Sequence, residues 1–170
     1  MSKTLVIAEK PSVGRDLTRV LPGGSGPGLG AQALAFDPTN DLAVLRVDGL
    51  DAPALPIARD PAAGTSAAIL GFPLNGPYDA RAGRLGQTRE VVTQNAYGRG
   101  PVRRRITSLR GVVRSGNSGG PMVDGAGRVV ATIFAATTSG PRGGYAVPND
   151  LVRQTLAGAN SPVSTGECGG

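Results

Sequence analysis

From residue 31 onward the chain is divided into short segments, and this division limits its fold more than any other feature. Short apolar or alternating runs occur at residues 32–36, 42–47, 66–72, 84–94, 102–110, 121–123, 128–136 and 143–147. Turn residues separate these runs, among them Asp37-Pro38, Asp48-Gly49, Asn75-Gly76-Pro77 and Asp124-Gly125. Because many short strands at this spacing are typical of β-barrels and β-sandwiches, we predict an all-β fold.

The first 30 residues of the chain have a different pattern of apolar, glycine and proline residues. An apolar run at residues 4–8 is followed by Pro11 and by apolar residues at helical spacing, which predicts a β-α unit within residues 1–22. The next stretch is rich in Gly and Pro, so we predict a flexible linker at residues 23–32.

The end of the chain is predicted to be a short helix and a tail. Pro148-Asn149-Asp150 precedes apolar residues at helical spacing, which indicates a helix start. Small and polar residues follow, so we predict a domain at residues 33–158 and a flexible tail at residues 159–170.

The charge and hydropathy of the chain narrow its partners. The net charge of +6 permits nucleic acid binding, but the arginines are scattered apart from the run Arg103–Arg105. We interpret that run as solvated side chains at a sheet edge, and predict no clear nucleic acid partner. No apolar run approaches the roughly 18 residues of a membrane span, and no signal peptide is visible, so we predict no membrane segment.

The segment that carries chemistry is Gly116-Asn117-Ser118-Gly119-Gly120-Pro121. A serine flanked by glycines can lie on a tight, exposed turn, because glycine tolerates the backbone angles that such a turn needs. The N–H groups there could converge on one oxygen, so we predict an oxyanion hole formed by Gly116, Asn117 and Ser118, chiefly by the first and third. A plain Gly-rich turn is the alternative.

The run after this motif strengthens the functional interpretation. A short apolar strand, the turn Asp124-Gly125, a second apolar strand and a terminal helix follow in order. This order resembles the second barrel of trypsin-like serine proteases. The resemblance implies a chymotrypsin-type double β-barrel, Ser118 as nucleophile and a peptide or protein substrate. The run Asn40-Asp41-Leu42 resembles the aspartate motif of that family, which implies that Asp41 orients the catalytic histidine and stabilises it as imidazolium.

Several further segments are similar to MarP-type proteases, which are membrane-anchored periplasmic serine proteases. They include Phe36-Asp37-Pro38, Leu70-Gly71-Phe72-Pro73, Gly76-Pro77-Tyr78 and Thr165-Gly166-Glu167-Cys168. Cys168, the one cysteine, cannot form an internal disulfide. By this resemblance Cys168 is half of a redox-sensitive disulfide whose partner is missing, and the protein is periplasmic.

The sequence also departs from that family. The chain contains no histidine, and the strands that carry it in the family are missing, so we predict an N-terminally truncated barrel. Lys3 and Lys10 both precede the linker and are improbable substitutes for the base. We therefore predict a serine endopeptidase by descent that is inactive. Val112, six residues before Ser118, is uncharged and indicates no side-chain specificity.

Residues 1–22 resemble the start of the Toprim domain of topoisomerase III, in which the glutamate matching Glu9 belongs to an acidic site. The chain has no Asp-x-Asp pair, so we predict neither a metal site nor a cofactor. A chimera, a gene rearrangement and a faulty gene model all fit this composite sequence. We expect residues 4–8 not to dock as a substitute edge strand.

Two other functions stay open. The first is a non-catalytic module that binds peptides in a groove near residues 134–147. The second is a nucleic-acid-associated fragment of a type IA topoisomerase.

Overall fold

A computed structural model describes residues 3–7, 31–50 and 52–165 of the chain. In this part of the chain, nine strands precede one α-helix. The strands are β1 (Lys3–Ile7), β2 (Ala31–Asp37), β3 (Leu42–Val47), β4 (Ser66–Gly71), β5 (Asp79–Thr93), β6 (Val102–Gly111), β7 (Pro121–Asp124), β8 (Val129–Ala136) and β9 (Gly143–Val147), and the helix is α1 (Asn149–Gly158). The predicted all-β fold with a short terminal helix is confirmed.

The first three strands form an antiparallel sheet in the order β1-β3-β2. Leu45 of β3 is paired with Leu5 on one side and with Ala33 on the other. The expectation that residues 4–8 would not dock was wrong, because residues 3–7 pair with β3 along its length. The physical reason is that the main-chain groups of the buried strand β3 need hydrogen-bond partners on both edges.

The remaining six strands form a closed barrel in the order β4-β5-β6-β9-β8-β7. Closure pairs β4 with β7, so the barrel has no free edge between its first and last strands. Its interior is filled by small and branched side chains rather than aromatic ones; the buried core comprises Ala58, Ile69, Leu85, Leu109, Met122, Val130, Ala131, Ile133 and Ala146.

Helix α1 joins the sheet to the barrel. Leu42 of β3 packs with Val147 of β9 and Val152 of α1, and all three are almost completely buried. The side-chain amide of Asn149 donates to the carbonyls of Ala58 at 2.9 Å and Val129 at 2.8 Å. These contacts fix the end of β9 and the start of β3 relative to each other.

Both predicted domain boundaries fall near the limits of the described residues. Strand β2 begins at Ala31, so the last two residues of the predicted linker form part of a strand. In the predicted tail, the N–H of Val163 donates to the carbonyl of Ala33 at 2.9 Å, and the Tyr97 hydroxyl donates to the carbonyl of Thr165. Cys168, Glu9 and the predicted helix of residues 1–22 lie outside the described residues. The domain boundaries therefore stay predictions.

Candidate active site

Ser118 lies in the turn between β6 and β7, as the glycines around it predicted. Gly116 has φ 91° and Gly119 has φ 79°, a left-handed region that favours glycine. A Cβ atom on Gly116 would lie 2.9 Å from the carbonyl oxygen of Phe72. A side chain at position 116 would therefore disfavour the backbone angles of this turn and collide with the main chain of Phe72.

Asn117 holds this turn together through its side chain. The residue is buried, and its Oδ1 accepts a hydrogen bond from the N–H of Arg114 at 2.9 Å. Its own N–H donates to the carbonyl of Arg114 at 3.0 Å, so this donor is engaged within the turn and does not serve an oxyanion. Among the described residues, the N–H groups of Gly116 and Ser118 have no main-chain acceptor. For these two residues the oxyanion hole stays a prediction.

The hydroxyl of Ser118 is directed at the main chain of strand β8. Its Oγ donates a hydrogen bond to the carbonyl oxygen of Phe134 at 3.1 Å. A peptide carbonyl can hold this proton in a hydrogen bond but is far too weak a base to remove it. The hydrogen-bond partner of Ser118 Oγ is therefore a main-chain carbonyl and not the side chain of a base.

Asp41 immediately precedes β3 and follows a turn that the Asp37 carboxylate stabilises. The carboxylate of Asp37 accepts hydrogen bonds from the N–H groups of Thr39 at 3.0 Å and Asn40 at 3.1 Å. Asp41 itself has φ 57°, an uncommon conformation for a residue with a side chain. Leu42, the next residue, packs against β9 and α1, so Asp41 is tied to the barrel that carries Ser118.

Arg104 of β6 is a functional candidate that the sequence analysis missed. Its guanidinium lies over the Phe134 ring, with Cζ 4.5 Å from the ring centroid. Burial lowers its pKa, while the negative charges of Asp41 and Asp37 raise it. Its Nε and Nη1 atoms are buried and have no hydrogen-bond partner among the described residues.

The predicted solvated run of three arginines is thus correct for two of them. Arg103 is largely exposed and pairs with Glu90 at 2.9 Å, and the half-exposed Arg105 pairs with Asp150 at 2.5 Å. Arg104 points to the opposite face. Alternation along a strand is the signal that could have separated the middle arginine from its neighbours.

The described residues around Ser118 and Asp41 supply a hydroxyl, carboxylates and a guanidinium, and none of them supplies an imidazole. The chain has no histidine, and an arginine remains protonated in proteins.

No group of three or more potential metal ligands occurs among residues 3–7, 31–50 and 52–165. In the same residues no helix is long and apolar enough to cross a membrane.

A cavity of about 250 Å³ lies beside the Ser118 turn. Val112 lines it, as do Arg114 from the same turn and Arg142 from the β8–β9 loop. Val112, the residue six positions before Ser118, brings no charge to this cavity. The structure adds two arginines to the same cavity.

A family model for the trypsin-like peptidase domain matches residues 6–131. The serine protease Rv3671c of Mycobacterium tuberculosis is 34% identical over 142 residues, which cover 81% of this chain and 36% of that protein. The chain therefore spans about a third of its curated relative. This relative supports the predicted MarP-type resemblance.

Solved structures agree with the family match. The crystal structure of the active form of the Rv3671c protease has a TM-score of 0.75 and 31% identity, over 87% of this chain and 66% of that one. The HtrA-type protease AlgW with a tripeptide has a TM-score of 0.63 and 26% identity, over 75% of this chain and 42% of that one. The trypsin-like fold is thereby confirmed. The family match begins within residues 1–22, and the topoisomerase resemblance gains no support from these relatives.

Proposed function

Because the chain belongs to the trypsin-like peptidase domain family, we propose that it is a serine endopeptidase domain of MarP-type descent that binds peptides beside Ser118 without cleaving them by its own residues. The observation that carries this proposal is the hydrogen bond from Ser118 Oγ to the Phe134 carbonyl in a chain without histidine.

The chemical reason is the need for a base. A serine hydroxyl attacks a peptide carbonyl only if its proton is accepted during the attack. Arg104 lies within the field of Asp41, but its protonated guanidinium has no free electron pair with which to accept the proton. When one member of the triad is lost, only about 10³–10⁴-fold catalysis over water remains, from the oxyanion hole and binding.

Peptide binding does not depend on that base. The N–H groups of Gly116 and Ser118 and the cavity that Arg114 of the same turn lines do not require an activated hydroxyl. The related protease AlgW has been solved with a tripeptide, which supports a peptide as the ligand class here. Periplasmic location, the Cys168 disulfide, truncation and chimeric origin stay predictions.

Two assays on the same preparation test the proposal. A panel of quenched fluorescent peptides should show no turnover above the level of Ser118→Ala, and a fluorophosphonate probe should not label Ser118. Binding of labelled peptides should nevertheless be measurable by fluorescence anisotropy.

Ser115→Ala is the matched control, because Ser115 is an exposed serine of the same turn. Turnover that disappears in Ser118→Ala but persists in Ser115→Ala would contradict the proposed inactivity. Absence of any peptide binding would contradict the proposed binding function.

A further inference from the structure

Two neighbouring cavities form what we call the basic groove. The cavity beside the Ser118 turn and a larger one of about 530 Å³ share Thr137, Arg142 and Gly143 in their walls. Among the residues that the structure describes, no Asp or Glu lines either cavity, and the charged residues that do so are all arginines: Arg84, Arg89, Arg110, Arg114 and Arg142.

These five arginines differ from four arginines outside the groove that form salt bridges. Arg81, Arg103, Arg105 and Arg128 each form a salt bridge with a carboxylate at 2.9 Å or less. Within the described residues, no salt bridge involves a groove arginine. The groove side chains with hydrogen bonds use neutral acceptors, such as the Gly64 carbonyl for Arg84 and the Gln87 amide for Arg89. No carboxylate of residues 3–7, 31–50 or 52–165 therefore pairs with the positive charges of the groove.

Barrel closure brings these residues together from distant parts of the sequence. Arg84 and Arg89 belong to β5, and Arg110 belongs to β6, which pairs with β5. Arg114 and Arg142 come from the two loops that flank the cavity beside Ser118. A groove with this concentration of one charge attracts ligands of the opposite charge.

We propose that the basic groove binds the acidic side chains of a peptide whose backbone lies beside Ser118. This inference rests on the proposed function, because the peptide is the one bound at that site. Arg114 supplies the connection: its N–H and carbonyl are both hydrogen-bonded to Asn117, and its side chain lines the groove. Guanidinium groups suit this ligand, since they bind carboxylates through paired hydrogen bonds.

The lining favours a peptide over a nucleic acid. Single-stranded nucleic acid sites combine basic residues with several aromatic side chains on which bases stack. Tyr145 is the one aromatic residue among those that line the two cavities. The groove also begins at the Ser118 turn rather than on a separate face of the protein.

The test compares labelled peptides by fluorescence anisotropy at low and high salt. The probes are a glutamate-rich peptide, its counterpart with Gln at each Glu, and a single-stranded oligonucleotide. The acidic peptide should bind about tenfold more tightly than the Gln peptide at low salt, and the difference should shrink at high salt.

Arg142→Gln should weaken binding of the acidic peptide about fivefold and leave the Gln peptide unchanged, since Arg142 lines both cavities. Arg59→Gln is the control, because it removes the same charge from an exposed residue outside the groove. Thermal melting of both variants verifies that they are folded.

Each other outcome overturns the inference in a recognisable way. Equal affinity for the acidic and Gln peptides overturns it and leaves the proposed peptide binding intact. If the oligonucleotide bound more tightly than the acidic peptide, and Arg142→Gln weakened that binding, the ligand of the groove would be a nucleic acid and the inference would be overturned. Absence of binding by any peptide overturns both the inference and the proposed function.

Discussion

Replacing Gly116 by alanine should disrupt the turn that presents Ser118. Gly116 has φ 91°, and an added Cβ would lie 2.9 Å from the Phe72 carbonyl and 3.1 Å from the Leu74 N atom. The left-handed backbone costs an alanine roughly 1–2 kcal/mol, and displacing the contacted main chain adds roughly 1–3 kcal/mol. The free energy of unfolding should therefore fall by about 2–5 kcal/mol, which for a chain of this size lowers Tm by roughly 5–15 °C.

The measurement is thermal unfolding followed by circular dichroism, with Gly125→Ala as the matched control. No heavy atom lies within 4 Å of the Cβ position of Gly125, so an alanine there meets no obstacle. The control should melt within about 2 °C of the wild type, because isolated surface substitutions change stability little. If both variants melted at the same temperature as the wild type, the close approach of Gly116 to residues 72–74 would be refuted.

Two further predictions concern charged groups. Phe134→Leu removes the ring beneath the Arg104 guanidinium and should lower the free energy of unfolding by about 1–2 kcal/mol. In urea titrations this loss should be smaller in an Arg104→Met background, and an equal loss in both backgrounds would show that the stacking contributes nothing. The N–H and the guanidinium of Arg128 hold the pKa of Asp124 below its ordinary value. The contribution of the Asp124 carboxylate to the free energy of unfolding is therefore present above about pH 3.9 and is lost as the pH falls through the lowered pKa. Asp124→Asn should accordingly differ from the wild type in its urea midpoint at neutral pH but not in strong acid, and a difference that is constant with pH would contradict this.

Local sequence pattern was enough to predict the last strands of the closed barrel and the helix that follows them. The run at residues 128–136 corresponds to Val129–Ala136, the run at residues 143–147 coincides with Gly143–Val147, and the predicted helix start matches Asn149–Gly158. These elements are short and bounded by glycine, proline or asparagine, whose backbone preferences act over a few residues. Ser118 was found for the same reason, since its turn is specified by adjacent glycines.

The features that the sequence did not reveal depend on pairing across long distances. Docking of residues 3–7 onto β3 joins two segments that are separated by residues 8–41, and no local pattern determines that partner. The basic groove exists because closure of the barrel collects arginines that are scattered along the chain. Arg104 was predicted to be solvated like Arg103 and Arg105 because all three were treated as one charged run. Successive side chains of a strand point to opposite faces, and Arg104 lies against Phe134 instead.

The buried contact of Leu42 with Val147 and Val152 has a consequence for the whole protein. The residue after Asp41 packs against Val152 of α1, so loosening that helix would remove a buried contact next to Asp41. The position of an acidic group near residue 40 is thus guaranteed by chain that is synthesised more than 100 residues later. A nascent chain in which α1 has not yet been synthesised therefore lacks one of the two buried side chains that pack with Leu42.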